Sequence, residues 1–471
     1  MINMSRQLEK VFIILFALVF LCACASKNPD NIRKENADLF IKELDNRTES
    51  QLDNKNKFKL SDCISIAETN SLKIKSAEIK NRISRLERKI SFSNFLPKVD
   101  LEATYLIGKY KPTQRIGAGW GQVSDRHFNT SVISAQQPIF VPYSWYLYRI
   151  LSKGEDISLL VTERTRQIIS LKITSLFYRC LSLEKVRAGI KSAVKGEERF
   201  VSEIHKYNKE GLVLASDLLE AEASLIYRRH LLTENNRQLE QSMSQLLEAM
   251  GLDPFKKIVL IPEDKKEIIL PLLEDLVIEA LLNRPEMKLQ DRRYEIERDR
   301  VKIAITNFLP VVSAIGSFQN TSDSYVKYGS QWVGGATGVM SLFNGFANIN
   351  KYKASREKEK LSYLEREEAC LMVMLQVQKA FQNVQSAEEI RVVAGKIYDA
   401  RKQKLRQENA RYKEGLIRVS ELLKAVAASD EAGADLFGSE YNYRVSFAAL
   451  QDVVGYSLLS EEKILDINEN K

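Results

Sequence analysis

The sequence predicts a mainly α protein with a small β part, built from two copies of one long-helix unit that each carry a β-hairpin at one end. Three observations predict it. The 471-residue chain has ten prolines, and none lies in 143–253 or after Pro310, so stretches of 111 and 161 residues lack the principal helix breaker. Within them apolar residues keep a coiled-coil rhythm: Ile169, Ile173, Leu176, Cys180, Leu183, Ile190 and Val194 at three-to-four spacing, then Leu218, Leu225, Leu232, Leu239 and Leu246 seven apart. Finally, Asn94-Phe95-Leu96-Pro97 returns 213 positions later as Asn307-Phe308-Leu309-Pro310.

The repeat extends well beyond that tetrapeptide. The same offset of 213 pairs Leu60 with Leu273, Asp62 with Asp275, Ala67 with Ala280 and Asn70 with Asn283. Farther on, Ile139-Phe140 matches Leu342-Phe343 at an offset of 203. Tyr207-Asn208-Lys209-Glu210-Gly211-Leu212 matches Tyr412-Lys413-Glu414-Gly415-Leu416, and Asp217-Leu218-Leu219 matches Glu421-Leu422-Leu423. One ten-residue deletion between the proline and phenylalanine landmarks accounts for the change. A period this long marks a duplicated structural unit and not a short solenoid array.

Taken in chain order, the elements follow. Arg6 and Lys10 precede an apolar run from Val11 to Leu21, a basic region and short hydrophobic core that predict an export signal over 1–23; the run is too short for a spanning helix of ~20 residues. Residues 24–57 are polar and predict an extended tether with no core of its own. The first unit, 58–260, opens with a helix over Leu60 to Asn94. Val99, Leu101, Ala103, Tyr105 and Ile107 then alternate with Asp100, Glu102, Thr104 and Gly108, the period of a two-faced strand. A polar, glycine-rich turn over Lys109 to Asp125 leads to a second strand near Phe128 to Phe140. A helix over Tyr143 to Glu210, about 100 Å long, reverses at Gly211, and a further helix runs to Met250. The second unit, 261–460, repeats this with a helix over Leu273 to Asn307 and strands near Val311 to Asn320 and Trp332 to Phe343; a polar tail fills 461–471. The leading and trailing helices together match the central one in length, so each unit reads as one long helix beside two shorter ones stacked end to end.

Composition excludes several function classes. Seventy basic and 62 acidic residues give a net charge of +8, with the two signs interspersed, which describes a solvated surface and no nucleic-acid stripe. The three histidines, His127, His205 and His230, are too scattered for a metal or acid–base centre. Cys63, Cys180 and Cys370 fall inside helical patterns and read as buried small apolar residues. Gly334-Gly335-Ala336-Thr337-Gly338 lacks the spacing of a phosphate-binding loop and reads as small residues on a crowded strand face. No nucleophile elbow, P-loop or HExxH motif occurs, so no catalytic residue and no cofactor are expected.

The duplicated plan, the Asn-Phe-Leu-Pro approach to each hairpin, the Gln137-Pro138-Ile139-Phe140 and Ser341-Leu342-Phe343-Asn344-Gly345 exits and the Tyr-Gly-Leu turns resemble the TolC family of outer-membrane efflux ducts over about Phe58 to Leu459. Leu21-Cys22-Ala23-Cys24 resembles a bacterial lipobox that makes Cys24 the lipidated first residue, and Ala25-Ser26 lack the aspartate that retains enterobacterial lipoproteins at the inner membrane. This places the resemblance in the lipoprotein branch typified by OprM. It implies a homotrimer whose chains share a twelve-stranded transmembrane β-barrel and a periplasmic α-barrel, held in outer-membrane lipid. Four strands from one chain leave two open edges that a bilayer does not tolerate, which argues independently for the oligomer. The resemblance further implies a passive exit duct, working with a periplasmic adaptor and an inner-membrane pump of the resistance–nodulation–division or ABC type. Drugs, metals and polypeptides all remain open as cargo.

Two sites are implied. The turns at Gly211-Leu212 and Gly415-Leu416 would meet the adaptor; glycine's left-handed freedom explains the turn, and the leucine beside it is expected to be exposed. At the periplasmic gate the family's paired aspartates correspond to Glu421 and Lys424, three residues apart on one helix face, so the second charge is reversed; Arg418 lies nearby, and Asp217 and Tyr412 correspond to latching residues. An ordinary solvated helix surface is an equal reading of those residues. Two other classes compete: a periplasmic adaptor with one helical hairpin flanked by lipoyl-like β-segments, and an enzyme.

Overall fold

A computed structural model describes residues 29–52, 57–262 and 270–456. The export signal, Cys24 and the polar C-terminal tail lie outside the described residues.

The first described element corrects an expectation. Residues of the supposed extended tether form helix α1, Pro29–Leu52. Its residues are mostly exposed, and its last turns fasten it to the body. Thr48, fully buried, accepts a hydrogen bond from the Asp253 amide (3.0 Å), and Arg47 donates to the Gly251 carbonyl (3.3 Å). A two-residue strand β1, Lys57–Phe58, follows and pairs in parallel with β6, Val259–Leu260, burying Phe58.

Each repeat then has one plan. In the first come α2 (Leu60–Asn70), α3 (Leu72–Phe92), strand β2 (Lys98–Ile107), β3 (Thr113–Ile116), β4 (Gly119–Gln122), β5 (His127–Phe140), α4 (Pro142–Lys209) and α5 (Ala215–Met250). In the second come α6 (Leu273–Asn283), α7 (Pro285–Thr306), β7 (Val311–Thr321), β8 (Ser330–Val339), α8 (Ala347–Lys413) and α9 (Val419–Val454). The leading helix expected to be continuous is broken in both copies, at Ser71 (ψ 122°) and Arg284 (ψ 131°). Pro285 disfavours helical backbone at Arg284. Against each break sits the glycine that ends the trailing helix, Gly251 and Gly455, both left-handed. A Cβ on Gly251 would lie 2.4 Å from the Asn70 carbonyl oxygen, and one on Gly455 would lie 3.2 Å from the Arg284 nitrogen. The break is where the end of a neighbouring helix butts against the backbone, and only glycine allows the approach.

The end-to-end stacking is as expected. Helices of 11, 21 and 36 residues (α2, α3, α5) run beside the 68 residues of α4, and 11, 22 and 36 (α6, α7, α9) beside the 67 of α8. The anticipated seam residues Ile169, Ile173, Cys180, Leu225, Leu239 and Leu246 are buried. Cys63 and Cys180 are buried and in no disulfide, with burial pushing the Cys180 thiol up to about 12, while Cys370 is only half-buried. Among the described residues three cores result: one in each repeat, around Ile64, Phe177 and Leu246 and around Leu276, Val377 and Leu450, and a third near the tips that joins both repeats through Ile204, Ala221, Val419 and Leu423. The repeats are also pinned by charge. Asp299 on α7, 1% exposed, holds Lys153 of α4 at 2.9 Å, and Arg164 of α4 grips Asp452 of α9 at 2.6 and 3.1 Å.

The strands β2-β5-β7-β8 form one antiparallel sheet, with β5 and β7 bringing the two hairpins together. Two details differ from the expectation. The polar loop after β2 holds a further hairpin, β3–β4, and β8 ends at Val339, so Leu342-Phe343 lie in the turn before α8. No helix among the described residues is long and apolar enough to cross a membrane.

Candidate functional site

The main sheet has two chemically different faces. Its register aligns Leu101, Ile133, Phe318 and Trp332 in one row, and all four are exposed. Next to it on the same face lies Val99–Ala135–Gly316–Gly334. The opposite face carries Asp100–Ser134–Ser317–Val333 and Glu102–Val132–Gln319–Gln331. One surface suits hydrocarbon and the other water, the alternation of a membrane barrel wall. The glycines of β8 do not relieve crowding as the sequence suggested. A Cβ on Gly335 meets nothing within 4 Å, and one on Gly334 only grazes Trp332 at 3.5 Å. They sit on an edge strand whose outer side pairs with no strand among the described residues.

Where strands meet helices, aromatic rings gather: Phe92, Phe95 and Tyr148 with centroids 5.7–6.4 Å apart, Phe140 against Trp145, and Phe343 against Phe346. Such a girdle fits the boundary between bilayer and water. The repeated tetrapeptide works here as a tie between approach and exit. Gln137 donates to the Phe95 carbonyl, and Asn348 donates to that of Asn307, each at 3.0 Å.

At the far end of the sheet the two loops clasp. Asp323 accepts hydrogen bonds from the Ser124 hydroxyl (2.5 Å) and the Asp125 amide (3.0 Å), while Asp125 accepts from the Ser324 amide (2.6 Å). These bonds, Ser124 foremost, hold the Asp323 carboxyl below the usual range.

The helical tips reverse as expected. Gly211 and Gly415 have φ of 75° and 70°, and Leu212 and Leu416 donate to the carbonyls of Tyr207 and Arg411 in matching helix-end motifs. Leu212 and Leu416 are 67% and 64% exposed. Among the proposed gate residues, Tyr412 packs its ring on Phe200 (5.5 Å) within the tip core. Burial, with Tyr207, Glu203 and Asp217 adding negative surroundings, pushes its hydroxyl up. Asp217 and Tyr412 are thus neighbours, without a hydrogen bond between them. Glu421 and Lys424 are both exposed on α9, and Arg418 caps that helix, its carbonyl taking the Glu421 amide at 3.1 Å.

A stronger feature was missed. Arg228 of α5, 7% exposed, donates to Glu197 of α4 (2.5 Å) and to Asp430 of α9, while Ser224 holds the other Glu197 oxygen (2.6 Å). The signal was present: Glu197 and Arg228 occupy apolar positions of the two helical rhythms, three residues after Val194 and Leu225, with opposite charges.

The edges of the protomer are also informative. Along one edge lie β2, α3 and α5, where α3 exposes Ile79, Ile83, Leu86 and Ile90, and α5 exposes Leu219 and Ile226. Along the other lie β8 and α8. The inner seam of α8 (Val373, Val377, Ala380, Val384, Ala387) is buried, but its outer face exposes Leu361, Leu364, Leu371 and Leu375, again at three-to-four spacing. Both are coiled-coil seams without a partner among the described residues.

Residues 276–456 match the family model described as outer membrane efflux protein. The fold is similar to that of the Campylobacter jejuni CmeC outer membrane channel, with 17% identity over 87% of this chain and 88% of that one and a TM-score of 0.74. It is also similar to VceC from Vibrio cholerae (13%, 84% and 96%, TM-score 0.71) and to the open state of the Neisseria gonorrhoeae MtrE outer membrane channel (16%, 85% and 89%, TM-score 0.70). No curated protein matches the chain. The second repeat thus matches the outer membrane efflux protein family, and the chain shares the fold of these outer membrane channels over most of its length.

Proposed function

We propose that the protein is one third of a passive outer-membrane exit duct, which carries substrate from an inner-membrane pump of the resistance–nodulation–division or ABC type, through a periplasmic adaptor, to the outside. The observation that carries this reading is the pair of complementary edges. A bare β2 with the α3 and α5 seams on one side and a bare β8 with the α8 seam on the other let copies join edge to edge into a closed ring. Three copies supply twelve strands and leave no open edge in the bilayer. Purified full-length protein in a planar bilayer tests it: discrete conductance from a trimeric preparation is expected, and a soluble, non-conducting monomer would remove the reading.

The lipoprotein branch similar to OprM is part of the proposal, with Cys24 carrying the acyl chain. Cys24→Ala is expected to block incorporation of labelled fatty acid while trimers persist, because the barrel itself holds the chain in the membrane. Incorporation that survives the substitution would place the anchor elsewhere.

For docking, the exposed Leu212 and Leu416 at the tips support an adaptor contact. Leu212→Asp with Leu416→Asp is expected to leave trimers intact and to abolish adaptor cross-linking and export. Normal efflux in that double variant would end the docking assignment.

For the gate, exposed Glu421 and Lys424 on one face of α9 support rings of alternating charge at the entrance, with Arg418 adding positive charge and Asp217 and Tyr412 fixing the tip. Lys424→Asp stacks two acidic rings in a narrow pore, which bind a divalent ion far better than alternating charges do. Higher cation preference and new divalent block are expected in single-channel recordings. Unchanged selectivity would take both residues out of the constriction.

A further inference from the structure

We infer that the β3–β4 hairpin is a docking ribbon for the phosphorylated glycolipid headgroups of the outer leaflet, an inference that rests on the duct reading above. The ribbon leaves the sheet at the end opposite the helices as a separate two-stranded sheet tied at its root. Four backbone pairs run from Thr113↔Gln122 to Ile116↔Gly119, the Val123 amide closes on the Pro112 carbonyl at 3.0 Å, and Ser124 at its root is held by Asp323 at 2.5 Å. Backbone pairing and the tie at the root restrict the ribbon before it binds, which lowers the ordering cost of binding.

Those side chains have a particular chemistry. Trp120 and Tyr110 are 76% and 74% exposed, large aromatic surfaces, with the Lys109 ammonium over one side of the Tyr110 ring at 5.2 Å. Arg115 stands directly across the ladder from Trp120, and Lys111 is exposed nearby; neither makes an ion pair among the described residues. Across both loops of this end, 108–126 and 322–329, five basic residues face two acidic ones. Both acids, Asp125 and Asp323, accept hydrogen bonds in the clasp between the loops. The net charge at this end is therefore cationic; Lys109 and Lys327 lie over tyrosine rings and Arg126 donates to the Gly108 carbonyl, which leaves Lys111 and Arg115 to meet an anion.

Depth fixes the kind of anion. The last rungs of the apolar face before the loops carry Tyr105 and Ile107, 59% and 66% exposed, so a sheet spanning the bilayer puts the ribbon at headgroup level. There aromatic rings sit at the interface, and a guanidinium forks onto phosphate oxygens while indole and phenol faces lie against sugar rings. Phosphorylated saccharides offer both partners at once; a simple anionic phospholipid offers only charge.

Amide hydrogen exchange of the full-length trimer in nanodiscs tests this. The discs contain phosphatidylcholine alone, phosphatidylcholine with lipopolysaccharide, or phosphatidylcholine with phosphatidylglycerol at matched charge. Exchange across residues 109–123 is expected to slow about tenfold with lipopolysaccharide only, and Lys111→Glu with Arg115→Glu is expected to remove the effect at unchanged conductance. Unslowed exchange in a conducting preparation overturns the inference, whereas a preparation that neither trimerises nor conducts indicts the duct reading instead. Equal slowing by phosphatidylglycerol reduces the contact to bare charge and overturns the glycolipid assignment. Strong protection in phosphatidylcholine alone means that a neighbouring subunit covers the ribbon, and this also overturns it.

Discussion

Arg228→Met is expected to destabilise the helical body by roughly 3–5 kcal/mol, because it strands the Glu197 carboxylate in a place without water. The side chains of Arg228 and Glu197 are 8% and 5% exposed, whereas that of Asp430 is 39% exposed and can turn to solvent. The loss therefore comes from Glu197, whose remaining support is the Ser224 hydroxyl. Replacing both members, as Arg228→Met with Glu197→Leu, is expected to recover most of the stability, since an apolar pair of similar volume avoids the desolvation cost. Thermal unfolding of the three proteins checks this, and hydrogen exchange locates it. The first opening should appear in the last turns of α4 and the first turns of α5 and α9, about 20 Å of helix beyond the ion pair. A double variant as weak as the single would mean that the site needs charge and not merely filled volume.

That ion pair also shows what was legible in the sequence and what was not. Duplication, helix lengths, strand alternation and the reversing glycines were all readable, because each is a local rule repeated twice. The apolar rhythm of α4 and α5 was read from its leucines and isoleucines alone. Glu197 and Arg228 were passed over because each by itself looks like one surface charge among many. Only the pairing of two opposite charges at core positions of facing helices distinguishes them, and that needs the register between helices. The break at Ser71 was hidden for a related reason. Its cause is Gly251, 180 positions away, pressing on the Asn70 carbonyl. Pro285 did mark the equivalent break in the second copy, and the repeat alignment could have carried it back to Ser71.

Helix α1 was misread because polarity was equated with extension. Its body is solvated, and what fixes it is one threonine, one arginine and the packing of Leu52 on the core, all near its C-terminus. The β3–β4 ribbon escaped because strands of four residues with glycines at Gly119 and Gly121 give no alternation to count. The seams at the protomer edges are visible only by subtraction. The sequence of α8 has apolar residues on two sides, and the structure is needed to say which side the chain already covers.

Ile133→Arg and Ser134→Arg, adjacent substitutions on one strand, are expected to have opposite fates. Ile133 lies near the middle of β5, an inner strand, in the exposed row with Leu101, Phe318 and Trp332. If that row faces lipid near the bilayer midplane, an arginine there costs about 2–4 kcal/mol in each subunit, and a closed ring bears the cost three times over. Ser134 points to the other face, in register with Asp100 and Ser317, where an arginine finds water and a carboxylate. Folding into liposomes, followed by the heat-sensitive gel mobility of the trimer, should show assembly lost for Ile133→Arg and kept for Ser134→Arg. The surviving variant should in addition shift ion selectivity toward anions, since its new charge lines the lumen. Equal tolerance of the two would mean that the sheet does not separate lipid from water. Failure of Ser134→Arg alone would mean that the faces are assigned the wrong way round.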